Sequence, residues 1–159
     1  MNLDNYHLTL KFLGEVEDQR TAEMSAALAA ATRGFQAFDI ALAGLGAFPT
    51  PTRPRVLWAG VTGGGPRLTE LAGAVDDALA AIGFPPEPRA FSAHITLARV
   101  REPRRDAGLA DALARAASLE LGSSRVDRIV LMRSQPSPAG ARYSEVSSAP
   151  LSAEISRET

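Results

Sequence analysis

Between Tyr6 and Phe12 polar and apolar positions alternate, with His7, Thr9 and Lys11 set between Leu8, Leu10 and Phe12. This two-residue period predicts a strand with one polar and one apolar face, so His7 and Thr9 point the same way. After the acidic stretch EVED, Met24 and Leu28 mark one side of an alanine-rich helix, and Gly34 stands where a left-handed cap would stop it. A strand is predicted at 38–42, then a Gly/Pro-rich loop, GLGAFPTPTRP, and a second strand at 55–61, RVLWAGV. GGGP (63–66) ends that strand, and Leu68, Leu71, Ala72, Val75, Leu79 and Ile82 form a helical stripe behind it. The pattern then repeats. HITLARV opens with His94, Ile95, Thr96 and Leu97 in the same alternation, followed by a helix at 106–117 with Leu109 and Leu113, and strands at 126–132 and 141–147.

The repetition has a fixed offset. His94 lies 87 positions beyond His7, and Arg142, which opens the last strand, lies 87 beyond Arg55, which opens RVLWAGV. Alternating elements at similar spacing are common in α+β proteins, but two equal offsets favour an internal duplication. The second copy has a strand and a helix ahead of its histidine, whereas only six residues precede His7. The first copy is therefore expected to lack those elements and to expose a sheet edge, through which the protein can self-associate. The expected domain organisation is one duplicated domain over 1–148 and a polar C-terminal tail over 149–159.

A chain of 159 residues, 45% hydrophobic and 22% charged, buries one respectable core. No run approaches the length of a membrane span, and MNLDNYH lacks the layout of a secretory signal, so a soluble, cytoplasmic protein is expected. There is no cysteine, which excludes disulfides and thiol nucleophiles. A net charge of −1 argues against broad electrostatic coating of nucleic acid. Sixteen of the seventeen basic residues are arginine, Lys11 being the single lysine, so any phosphate recognition is expected to be local and fork-like.

His7 and His94 are the only histidines, and each is followed two residues later by threonine. A lone histidine is more often structural than catalytic, but a matched pair in matched settings is not the usual structural case. If the two strands face one another, two imidazoles and two hydroxyls converge on one cleft. Two imidazoles can supply the general base and general acid that displacement at phosphorus requires, without a metal. The Thr9 and Thr96 hydroxyls can hold non-bridging phosphate oxygens. A metal held by the two histidines is the weaker reading, because no carboxylate lies at ligand spacing beside either.

HLTLKFLGEV and HITLARVR resemble the two signatures of the two-histidine phosphoesterases, in particular the RNA 2′,3′-cyclic phosphodiesterases once called 2′-5′ RNA ligases. The resemblance extends through AFPTPTRPRVLWAGV and RIVLMRSQPSPAGARYSEV. It implies an α+β fold of two pseudo-symmetric lobes of antiparallel sheet with flanking helices around a central cleft. It makes His7 and His94 the catalytic pair, Thr9 and Thr96 the phosphate-holding hydroxyls, and Arg99 a further phosphate ligand. The implied partner is an RNA end carrying a 2′,3′-cyclic phosphate, with no cofactor, no metal, no membrane and no obligatory protein partner. The implied reaction opens that phosphate to a 2′-phosphomonoester, with 2′-5′ ligation as its reverse. Chains of this family resemble the present one but begin with an aromatic-bearing strand and a helix, the elements that the repeat also leaves out. Strict alternation from His94 sends Arg99 to the wrong face, so a bulge or a bent side chain is required.

Two other readings compete. One keeps the chemistry and changes the substrate to a small cyclic nucleotide or ADP-ribose cyclic phosphate. The other is a module that grips RNA ends without turnover. GLGAF and GGGP lack the remaining residues of nucleotide-binding fingerprints and read as turns. Trp58 reads as core rather than a base-stacking platform. Arg101, Arg104 and Arg105 read equally as a solvated turn or as contacts to an RNA backbone.

Overall fold

The computed structural model describes residues 5–153. Its architecture is α+β, with antiparallel sheets and few helices, as expected. The chain divides into two compact units.

One unit comprises Met1–Thr9, Asp39–Gly65 and Ser92–Ser124. Its sheet contains β1 (Phe38–Phe48), β2 (Val56–Gly63), β3 (His94–Arg99) and β4 (Glu120–Val126) in the order β3-β2-β1-β4. The β1–β2 and β2–β3 pairs are antiparallel. Facing residues share a side of a sheet, so Ala47 with Leu57, and Leu45 with Ala59 and Ile95, form one apolar face. Ala47 and Ala59 are buried there. A short helix, α3 (Ala107–Arg115), precedes β4, and the Asp106 carboxylate caps it by accepting from the Leu109 amide at 2.9 Å.

The other unit comprises Leu10–Phe38, Pro66–Phe91 and Arg125–Thr159. It holds α1 (Thr21–Ala31), α2 (Gly65–Ala80) and an antiparallel pair, β5 (Arg128–Gln135) with β6 (Arg142–Pro150). The helical stripe is where the pattern predicts it: Leu68, Leu71, Ala72, Val75 and Leu79 are buried on α2, and Met24 and Leu28 on α1. Gly34 has φ +83°, the left-handed conformation expected after α1. Helix α1 packs on β6, where Ser25 and Ser147 hydroxyls meet at 2.7 Å. Lys11 is almost wholly buried and pairs with Asp76, also donating to the Pro85 carbonyl at 2.8 Å.

Three expectations change. The first signature is a single antiparallel bridge, Leu8 to Ile95, and not a strand. Strand β1 runs on to Phe48 through residues that the glycines make look like loop. The boundary at 148 falls inside β6: Ala149 and Leu151 are buried, and the Leu151 amide donates to the Asp127 carbonyl at 2.8 Å, so the chain stays packed beyond it. Residues 154–159 of the expected tail lie outside the described residues.

Candidate active site

His7, Thr9, His94, Thr96 and Arg99 all belong to the unit built around the four-stranded sheet. The bridge between Leu8 and Ile95 aligns the two signatures antiparallel. Leu8 and Ile95 face each other, so their neighbours face each other on the opposite side, His7 across from Thr96 and Thr9 across from His94. Each imidazole thus stands beside the other signature's hydroxyl, with the two imidazoles on one diagonal. Such diagonal neighbours lie roughly 7–8 Å apart, with their Cβ atoms somewhat closer.

Strand β3 then carries the third group into place. Trp58 faces Thr96 and Gly60 faces His94, but Leu57 faces Ala98, so Leu97 is an extra, unpaired residue. This is a β-bulge. Beyond it the alternation is reset, and Arg99 lies across from Val56, on the side that holds Trp58 and Gly60. His94, Thr96 and Arg99 therefore share one face, which the alternation alone would have denied to Arg99.

The two imidazoles are held alike. His7 Nδ1 lies 2.7 Å from the Asn5 carbonyl oxygen, and His94 Nδ1 lies 2.8 Å from that of Ser92, in each case two residues earlier. A carbonyl oxygen only accepts, so Nδ1 carries the proton and donates in both rings. The exchangeable chemistry of each ring is thereby directed to Nε2. A proton held at Nε2 makes the ring an acid, and a lone pair there makes it a base. Among the described residues no three His, Cys, Asp or Glu side chains cluster as metal ligands.

An aromatic pair backs His94. The Phe48 ring meets the imidazole edge-on, with centroids 5.2 Å apart and planes at 85°, and lies 5.3 Å from Trp58. Trp58 lies across Gly46, where a Cβ would meet the indole at 2.2 Å. Only glycine allows that approach.

The pattern of the family described as LigT like Phosphoesterase matches residues 2–58 and 61–143. The chain belongs to the LigT-like phosphoesterase family. It is 41% identical over 140 residues to the RNA 2′,3′-cyclic phosphodiesterase of Aeropyrum pernix, covering 88% of this chain and 78% of that one. Its fold is similar to the crystal structure of TT0787 of Thermus thermophilus, with a TM-score of 0.74 and 28% identity over 94% of this chain and 79% of that one. It is also similar to Escherichia coli LigT complexed with 3′-AMP, with a TM-score of 0.66 and 28% identity, covering 93% and 78% of the two chains.

For this LigT-like phosphoesterase the residues that sequence reading missed are Phe48 and Trp58 as neighbours of the site. The signal was present, because Gly44, Gly46 and Phe48 alternate with Leu45 and Ala47 as in a strand. The glycines concealed it.

Proposed function

We propose that this chain hydrolyses the 2′,3′-cyclic phosphate at the end of an RNA, leaving a 2′-phosphomonoester, by two-histidine acid–base catalysis without a metal. The observation that carries the reading is the reciprocal placement of His7 beside Thr96 and His94 beside Thr9, with each imidazole donating from Nδ1 to a backbone carbonyl. The names of relatives such as the Aeropyrum pernix protein support the substrate class.

In this mechanism Nε2 of one histidine, with His94 favoured, takes a proton from water as its oxygen attacks phosphorus. The bond from phosphorus to O3′ breaks, and Nε2 of the other histidine, His7, gives its proton to the departing O3′. The proton count balances: one leaves water, one reaches the 3′-hydroxyl, and the two imidazoles exchange protonation states. Thr9 and Thr96 donate to the non-bridging oxygens and Arg99 offsets their charge, so the phosphate is held in line while electron density moves. The same arrangement runs a ligation when an RNA 5′-hydroxyl replaces water, giving a 2′-5′ linkage as O3′ departs.

The direct test is incubation with an RNA ending in a 2′,3′-cyclic phosphate in the presence of a chelator, with the product read by mass and by nuclease sensitivity. A 2′-phosphate product with undiminished rate in chelator is expected. A 3′-phosphate product, or a rate that vanishes with chelator, would overturn the reading.

A further inference from the structure

Next to the bulged end of β3 the same unit carries a concentration of positive charge that the reaction itself does not use. Two loops meet there, 49–55 and 100–106. They are joined by backbone hydrogen bonds from the Val100 amide to the Arg55 carbonyl, 2.9 Å, and from the Asp106 amide to the Thr52 carbonyl, 3.2 Å. Together they hold Arg53, Arg55, Arg101, Arg104 and Arg105, five arginines against the two carboxylates of Glu102 and Asp106, in a chain whose net charge is −1. All five arginines are exposed. The Asp106 carboxylate is already engaged as the cap of α3. Between the loops lies a depression of about 330 Å³, lined by Arg101 and Arg104, by Glu102 and Asp106, and by Pro54, Val100 and Leu109.

Arg99 links this region to the histidines. It is the last residue of β3 and shares the face of His94 and Thr96, while Val100 and Arg101 follow it directly into the loop. An RNA whose end is held at the histidines and met by Arg99 can continue along the loop that begins at Val100, advancing about 3.4 Å per phosphate when stacked.

We propose that loops 49–55 and 100–106 form a binding ridge for the RNA strand that leads to the cyclic-phosphate end, making a polynucleotide end a better substrate than a mononucleotide. This rests on the hydrolytic reading of the site and adds to it the length of the substrate. The ridge has a backbone-reading character: planar guanidinium groups suit phosphates, and nothing in the depression supplies the aromatic faces on which bases would stack. Affinity from it is therefore expected to depend on salt and strand length and little on sequence.

The test compares wild-type protein with the combined variant Arg101→Gln, Arg104→Gln, Arg105→Gln on two substrates: a nucleoside 2′,3′-cyclic phosphate and a ten-nucleotide RNA with the same end. The wild type should favour the ten-nucleotide RNA in kcat/KM. The variant should lose about ten- to thirtyfold on that RNA, chiefly through KM, and less than about twofold on the mononucleotide; the slope of log(kcat/KM) against log(salt) should fall by up to about 2. The corresponding triple Lys variant should recover most of the loss, separating charge from local structure. In parallel, fluorescence anisotropy of a labelled ten-nucleotide RNA ending in a 2′-phosphate measures binding without turnover. Equal efficiency of the wild type on both substrates, or an unchanged anisotropy titration in the Gln variant, would overturn the ridge. Failure to turn over either substrate would count against the hydrolytic reading, while the anisotropy titration would still decide the ridge.

Discussion

Arg99 lies on the same face of β3 as His94 although five positions separate them, an odd number that regular pleating would place on opposite faces. The extra residue, Leu97, makes the difference. Arg99→Gln leaves a polar side chain but shortens it and removes its charge, so it should lower kcat/KM on a cyclic phosphate by about 1.5–3 kcal/mol, the worth of a hydrogen bond to a charged group. Arg99→Lys should recover only part of this, because an ammonium cannot make the planar fork. Steady-state kinetics on a mononucleotide substrate checks both.

His7→Ala and His94→Ala should each reduce kcat by about 10²- to 10⁴-fold, since each deletes one proton transfer, while the melting temperature changes little. Because turnover requires one imidazole neutral and the other protonated, kcat/KM against pH should be bell-shaped in the wild type. Each single variant should lose one limb of the bell. Retention of both limbs in either variant would remove that histidine from the mechanism.

Thr9→Val and Thr96→Val preserve β-branching and delete a hydroxyl. Each should cost about 1–3 kcal/mol in kcat/KM with folding nearly intact. Equal effects are expected from the reciprocal placement of the two residues. Thermal melts run beside the kinetics distinguish lost phosphate contacts from lost stability.

Gly46→Ala places a methyl where the indole of Trp58 lies, so the ring has to move. The expected destabilisation is about 1–3 kcal/mol, typical of overpacking. Phe48 rests between Trp58 and His94, so the same change should also lower kcat by disturbing the imidazole. An unaltered kcat in a folded Gly46→Ala protein would sever that connection.

Lys11 donates to Asp76, and this hydrogen bond is the main reason that the Asp76 carboxyl titrates below its ordinary value of 3.8; the Glu87 amide assists, against the opposing effect of burial. A carboxyl lowered on folding stabilises the fold above its unfolded value and loses that contribution as pH falls through its folded value. The stability that Asp76 supplies should therefore be complete at neutral pH and disappear progressively below pH 3.8. Asp76→Asn should destabilise by about 1–3 kcal/mol at pH 7, and its deficit should shrink below about pH 4. Denaturant melts at the two pH values provide the measurement.

The readability of this chain followed the range of the interactions involved. The α2 stripe from Leu68 to Leu79 was legible because helical periodicity is a local property. The shared face of His94 and Thr96 on β3 was legible too, because strand alternation is equally local. The Leu97 bulge was not, since an unpaired residue exists only relative to its partner strand; the position of Arg99 required it without locating it. The end of β1 was hidden because Gly46 serves a close approach by Trp58, which looks in sequence like a turn residue. Strand β4, almost entirely exposed, offers no alternation of polar and apolar positions to read.

Trp58 is the only tryptophan in the chain, and it faces Thr96 across β2 and β3. Its Nε1–H is buried and has no hydrogen-bond partner among the described residues. The near-ultraviolet emission of the protein therefore originates almost wholly from one indole beside the candidate site. The fold carries its own optical label, and arrival of a phosphate near Thr96 can be followed in stopped flow without attaching a dye.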